Sequence, residues 1–293
     1  MADRTVLLQL LFSGFGTGGV YALVAVGFSV VYKSTGAVNF AQGEWTMLGG
    51  MTTATLAALH LPPALACMIA VPLVGLVGLM SERLAVAPLR IPTPMAITLL
   101  TIGIGLATRG AAMLTLGKQP MGYDGFSGNA VVQIAGIRVP AQTLWVLAIA
   151  AGFLLLAQLF FSRSVPGKAL RALAADRDAA ALVGIEPGRG VMWCFALGAF
   201  AGGLAGAIVT PLTFISYDQG AALGFKGFSA AILGGLGSLP GAALGGIVLG
   251  VAEALAAGTL SSQFKDAIAF AILLLVLFLR PNGLLGRADT SRL

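Results

Sequence analysis

Apolar runs of bilayer length, repeated along the chain and broken by one charged island, constrain the fold of these 293 residues more than any other feature. About 20 apolar residues cross a hydrocarbon core, and runs of that order cover 6–31, 62–80, 94–117, 140–162, 191–214 and 264–280. Three further stretches are less regular: 37–59 contains Asn39, Gln42 and Glu44, 221–239 contains Lys226 and five glycines, and 241–258 contains Glu253. Counted together they predict eight to nine spans and an all-α, polytopic transmembrane helical bundle, one membrane-spanning domain over 1–293. A soluble fold is excluded by composition. Only 10% of residues are charged and 58% are hydrophobic, whereas soluble domains carry about a quarter charged residues.

The island runs from Arg163 to Arg189 and must face water. With the N-terminus outside, eleven of the 17 basic residues fall inside: Lys33, Arg83, Arg90, Arg163, Lys168, Arg171, Arg177, Arg189, Arg280, Arg287 and Arg292. That bias follows the positive-inside rule and puts the island and the C-terminus in the cytoplasm. The net charge of +6 is thereby a matter of topology, and no nucleic-acid partner is implied. The run from Val6 to Tyr32 is too long for a signal-peptide core and lacks a small-residue cleavage site, so it reads as the first span.

Glycines recur at four-residue spacing at Gly198, Gly202 and Gly206, at Gly241 and Gly245, and at Gly246 and Gly250, as tight helix packing in a membrane requires. An ungapped pairing of Phe40–Gly50 with Phe225–Gly235 shares the Phe and the final Leu-Gly-Gly. Five crossings separate the two stretches, so the pairing admits an inverted repeat with broken helices.

Catalytic constellations are absent. His60 is the one histidine, which rules out Ser-His-Asp, Cys-His and multi-histidine metal sites. No phosphate-binding P-loop motif occurs. Gly14, Gly16 and Gly19 match a dinucleotide-binding spacing but lie inside an apolar span. Cys67 and Cys194 sit singly in apolar runs and read as packing residues. No cofactor and no metal is called for.

Polar side chains at membrane depth are costly. Asn39, Gln42, Glu44 and Lys226 are therefore the substrate-path candidates. Two roles stay open for each: lining a translocation path beside a broken helix, or binding neighbouring helices, as Glu44 would by pairing with Arg109. The island predicts a helix over 167–183 stopped by Gly184, with Leu170, Leu173, Ala174, Arg177 and Ala181 on one side. Such a helix either lies on the membrane surface or docks a soluble partner.

Several blocks, in order along the chain, resemble the branched-chain amino-acid ABC importer permeases. VNFAQGE at Val38–Glu44 with MLGG at Met47–Gly50 is similar to that family's early signature. GKALR at Gly167–Arg171, AAD at Ala174–Asp176 and ALVGI at Ala181–Ile185 follow. AAILGGLGS at Ala230–Ser238 and LRPNGL at Leu279–Leu284 complete the set. The resemblance implies a non-catalytic permease subunit in the bacterial inner membrane. Its partners would be a second permease subunit, either a related chain or a second copy of this one, two cytoplasmic ATPase subunits and a periplasmic solute-binding protein. The island, 163–190, would be the cytoplasmic coupling loop, with Lys168, Arg171, Ala174, Asp176 and Gly184 as its coupling residues. Gln42 departs from the family, which commonly has histidine there; a neutral amide can replace a neutral imidazole in hydrogen bonding. The solute would be a branched-chain amino acid or a related small amino-acid or amide compound. Against this stand an ion-coupled secondary transporter working through Glu44, and a scaffold or channel subunit that does no pumping.

Overall fold

The computed structural model describes residues 4–134, 136–259, 265–280 and 282–286; the expected inside charges Arg287 and Arg292 lie outside them. The described helices are α1 (Arg4–Thr35), α2 (Gln42–Ala58), α3 (Pro63–Ser81), α4 (Pro94–Thr115), α5 (Ala141–Arg163), α6 (Val165–Ala175), α7 (Arg177–Leu182), α8 (Pro187–Thr213), α9 (Gly220–Gly234), α10 (Leu239–Thr259) and α11 (Lys265–Leu279). A five-residue π-helical turn, Glu82–Val86, extends α3. Three short strands, β1 (Phe126–Asn129), β2 (Val131–Ile134) and β3 (Ile137–Pro140), follow α4, and β2 pairs antiparallel with β3.

Among the described residues, α1, α3 with its π turn, α4, α5, α8 and α10 are long and apolar enough to cross a membrane. The chain is a multi-pass membrane protein. Of the three irregular stretches, two depart from expectation and the third matches it. The one expected from 37 becomes α2, which starts only at Gln42 and has 17 residues. Gly36 takes a positive φ of 69° and ends α1, and Asn39 Oδ1 accepts the Ala41 N–H at 3.1 Å, turning the chain before α2 begins. The stretch expected over 221–239 stops at Gly234, because Gly235 and Gly237 both adopt positive φ. The third, expected over 241–258, is the 21-residue α10. The hairpin was not foreseen; its residues alternate apolar and polar too briefly to separate them from the adjacent spans.

The core explains the glycine spacings. Helix α1 runs antiparallel to α10, with Gly14 against Gly250, Gly18 against Gly246 and Leu10 against Gly258. Helix α8 runs antiparallel to α3, with Gly203 against Val74 and Phe195 against Gly78, and parallel to α2, with Gly198 against Gln42 and Thr210 against Gly50. In lipid no hydrophobic force draws helices together, so backbones in direct contact supply the dispersion energy that does. A Cβ at Gly206 would fall on the Thr46 carbonyl oxygen. Gly206→Ala is therefore expected to destabilise the bundle by about 1–3 kcal/mol, read as a lowered thermal midpoint in detergent; an unchanged midpoint would mean that α2 and α8 are not in register here.

Contacts among the inner helices have a symmetry of their own. α1 lies along α10 as α8 lies along α3, α9 packs on α1 as α2 packs on α8, and α9 meets α10 as α2 meets α3. Exchanging α1, α2 and α3 with α8, α9 and α10 reproduces this set. Two opposite faces follow from the helix directions. One carries the end of α1, α6, α7 and the start of α10, where Lys33 and Ser34 share a crevice with Leu170, Arg171 and Leu239. The other carries the hairpin and the end of α8, and a backbone bridge between Met121 and Ile215 joins the segment ahead of the hairpin to the segment after α8.

Candidate functional site

Three groups of residues merit attention, and the first is the break between α1 and α2. Gln42 Nε2 donates to the Gly198 carbonyl at 2.8 Å, and the side chain fills the space left by Gly27 of α1 and Gly202 of α8. Gly27 is eight residues before the end of α1, about 12 Å along the axis, so Gln42 lies well inside the bundle. There it ties three helices together. Asn39 and Gln42 are fully buried, and Glu44 is 7% exposed. Asn39 Nδ2, Gln42 Oε1, Glu44 Oε2 and the Trp45 indole nitrogen are buried without hydrogen-bond partners. Buried polar atoms are nearly always satisfied, so four orphans within seven residues set this segment apart from the rest of the core.

Lys226 stands apart from that group. Its Nζ donates to Glu253 Oε1 at 2.6 Å, and the Tyr21 hydroxyl donates to Glu253 Oε2 at 2.7 Å. The ammonium also lies 5.8 Å from the Tyr21 ring centroid. A single ionic network thus joins α9, α10 and α1. Lys226 lies six residues into α9, with its side chain 17% exposed.

The pairing expected between Glu44 and Arg109 does not form. Arg109 lies 5.7 Å from the centroid of the Tyr217 ring, and the ion pairs among the described residues are Arg189–Glu186 and Lys226–Glu253. Beside Tyr217, the Ser216 hydroxyl donates to Asp218 and holds that exposed carboxyl below the usual carboxylate range. On the same face, the half-buried Tyr123 donates its hydroxyl proton to the Ala207 carbonyl at 2.6 Å and fixes the loop ahead of the hairpin to α8.

The island is two helices rather than one. Ser164 caps α6 by accepting the Gly167 N–H at 3.0 Å, and α6 ends at Ala175. Asp176 takes an extended conformation, φ −155° and ψ 116°, and its Oδ1 accepts the N–H groups of Asp178 and Ala179, both at 2.9 Å, to start α7. An aspartate at this position competes for backbone hydrogen bonds better than it continues a helix. The break shifts the register, so Leu170 and Leu173 are buried as expected while Ala180 is buried in place of Ala181. Gly184, at φ 86°, ends α7 as predicted. Lys168, Arg171, Asp176 and Gly184 are exposed and Ala174 is half-buried.

Two residues at the tip went unnoticed in the sequence. Leu182 is 89% exposed and Val183 is 76% exposed. An apolar pair inside a charged island, directly before a helix-stopping glycine, was the available signal.

A helical membrane bundle with two helix starts meeting in its interior, and a water-facing two-helix platform on one face, defines a membrane permease in class. The sequence specifies more. The family described as "Branched-chain amino acid transport system / permease component" matches residues 10–277, and the chain belongs to it. It is 33% identical over 301 residues to the high-affinity branched-chain amino acid transport system permease protein LivH of Escherichia coli (strain K12), covering 97% of each chain. It is 34% identical over 300 residues to the permease protein BraD of Pseudomonas aeruginosa, again covering 97% of each. A more distant relative, the ribose import permease protein RbsC of Haemophilus influenzae, is 27% identical over 90% of this chain and 82% of that protein. Among solved structures, PsaBC from Streptococcus pneumoniae in complex with Fab shares the fold at a TM-score of 0.54 and 12% identity, covering 95% of this chain and 94% of that one.

Proposed function

We propose that this chain is one of two permease subunits of an ATP-binding-cassette importer in the bacterial inner membrane, moving branched-chain amino acids or a related small amino-acid or amide solute. The observation that carries the reading is that similarity to permeases of branched-chain amino acid transport runs the length of the chain, island included. Hydrolysis of ATP belongs to two partner subunits on the cytoplasmic side. The island face is the cytoplasmic one: Lys33, Arg83, Arg90, Arg163, Lys168, Arg171, Arg189 and Arg280 lie on or next to it, against Lys118 and Arg138 on the hairpin face.

In this reading residues 163–190 are the coupling loop. The exposed Leu182 and Val183 seat in the ATPase, Gly184 sets their direction, and Lys168, Arg171 and Asp176 fix the orientation. Helix α6 is the transmitting arm. It shares a crevice with Val30, Lys33 and Ser34 at the end of α1, and the turn from Gly36 to Ala41 follows directly. Movement of the arm thus reaches Asn39, Gln42 and Glu44 through one helix end, which supports placing those three on the solute path. Lys226 acts there through its network, holding α9 in place. The symmetric contacts support an inverted repeat of α1–α3 and α8–α10, in which α2, α9 and α11 complete nine crossings despite their length. The solute-binding protein docks on the hairpin face, where a cleft of about 610 Å³ lies between His60 and Tyr123. The second permease subunit covers membrane-facing helices such as α4, most of whose surface is free here.

Photo-crosslinking tests the arrangement. A crosslinking residue at Leu182 should capture an ATPase subunit and one at Val131 the solute-binding protein, in membranes holding the full set of subunits. Capture of the binding protein from Leu182 would reverse the sidedness and sink the reading.

A further inference from the structure

The starts of α2 and α9 meet inside the bundle. Gly43, in the first turn of α2, lies directly against the Gly220 carbonyl and the Gly224 backbone. Neither helix start is capped by a side chain, so the amide groups and positive dipole ends of two first turns converge. Glu44 Oε2 lies against Gly220, more than nine-tenths buried, and accepts no hydrogen bond. The dipole ends explain why a carboxylate is tolerated at this depth, but they leave that oxygen unbonded. On α4, Gly105 abuts Glu44. Arg109 is one turn further along the same side of that helix, half-buried and held over Tyr217, the third residue before α9.

A carboxylate with a free oxygen and an uncapped helix start therefore meet here, with a cation one helical turn away that forms no ion pair with Glu44. We propose that this junction recognises the solute as a zwitterion: its α-ammonium donates to Glu44 Oε2, and its α-carboxylate is received by the first-turn N–H groups of α9 and by Arg109. The inference rests on the permease reading and deepens it, because it names the paired charges of an α-amino acid, not the side chain, as what the membrane subunit reads. The backbone contact of Gly43 with Gly220 and Gly224 closes the junction in this structure. A solute enters when α9 draws back from α2, and the absence of side chains at these glycines lets the two backbones rejoin behind it. A solute lacking the α-ammonium leaves Glu44 desolvated and unpaired, so the group that accepts an amino acid discriminates against sugars and simple amides.

The test uses proteoliposomes holding the complete transporter, with radiolabelled leucine, serine, phenylalanine and urea as probes. Glu44→Gln keeps the size of the side chain and removes its charge. For each amino acid carried by the wild type, Glu44→Gln is expected to lower uptake per ATP hydrolysed by roughly 100-fold, and Arg109→Gln to lower it similarly while Arg109→Lys retains most of it. The loss should be equal for every amino acid, with the thermal midpoint of the variants unchanged. Undiminished uptake in Glu44→Gln, or a loss that follows a lowered thermal midpoint, overturns the site. ATP-driven uptake of urea but no amino acid overturns the zwitterion assignment while leaving the permease reading intact. Absence of ATP-driven uptake of all four probes overturns both.

Discussion

Glu253→Ala is expected to lower the stability of the bundle by about 3–5 kcal/mol, because it removes the carboxylate from a buried ion pair and leaves Lys226 without it. The side chains of Lys226 and Glu253 are only 17% and 8% exposed, so water does little to replace the lost partner. The Tyr21 hydroxyl loses its Glu253 acceptor at the same time, which removes that hydrogen bond between α1 and α10. Thermal unfolding in detergent measures the loss. The control is the double substitution Lys226→Met with Glu253→Leu, which removes both charges; replacing a buried pair by apolar groups is often neutral or better, so most of the stability should return. If the double variant is as unstable as Glu253→Ala, the network is needed for more than mutual satisfaction of its charges. If Glu253→Ala is as stable as the wild type, the ion pair does not hold α9 in place.

Leu182→Asp is expected to weaken ATPase docking by about 30-fold or more, the effect of losing a central apolar anchor from an interface. Leu182 touches little of its own chain, being almost wholly exposed, so the folded subunit should insert normally and keep its thermal midpoint. Separation of docking from folding is what makes the substitution informative. Gly184→Pro is a second way to the same result, since proline fixes φ near −65° where Gly184 has 86°. Co-purification of the ATPase subunits with each variant gives the reading. Retention at the wild-type level in both would remove the tip of α7 from the coupling surface.

Much of this arrangement was legible in the chain, and the limits have physical causes. Long apolar runs marked their helices to within a few residues, because the bilayer fixes span length and leaves little freedom. The four-residue glycine spacings marked helix faces correctly, since only bare backbone permits the α1–α10 and α2–α8 approaches. The polar stretch from Asn39 to Glu44 stood out for the same reason it matters: its groups are expensive at that depth. Which partner each would find was not legible. Gln42 reaches a carbonyl 156 residues away and Lys226 a carboxylate 27 residues away, and no local pattern specifies either. Asp176 was misread as a helix interior because alanines surround it, although an aspartate followed by two residues whose amides it can accept is a capping pattern. The hairpin after α4 was hidden by its brevity.

The meeting of α2 and α9 gives the island its consequence. A platform alone shows where a soluble partner can sit; a platform whose first helix adjoins the last turn of α1, which itself leads within a few residues to the orphaned polar groups, shows how that partner can act on the interior.

ATP-driven uptake tests the account most directly. Radiolabelled leucine, supplied with the solute-binding protein outside proteoliposomes, should accumulate inside them when this chain, the second permease and both ATPase subunits are present with ATP, and should stop when the ATPases are omitted or Leu182 is changed to Asp. Accumulation by this chain without ATPases, driven by an ion gradient alone, would contradict it.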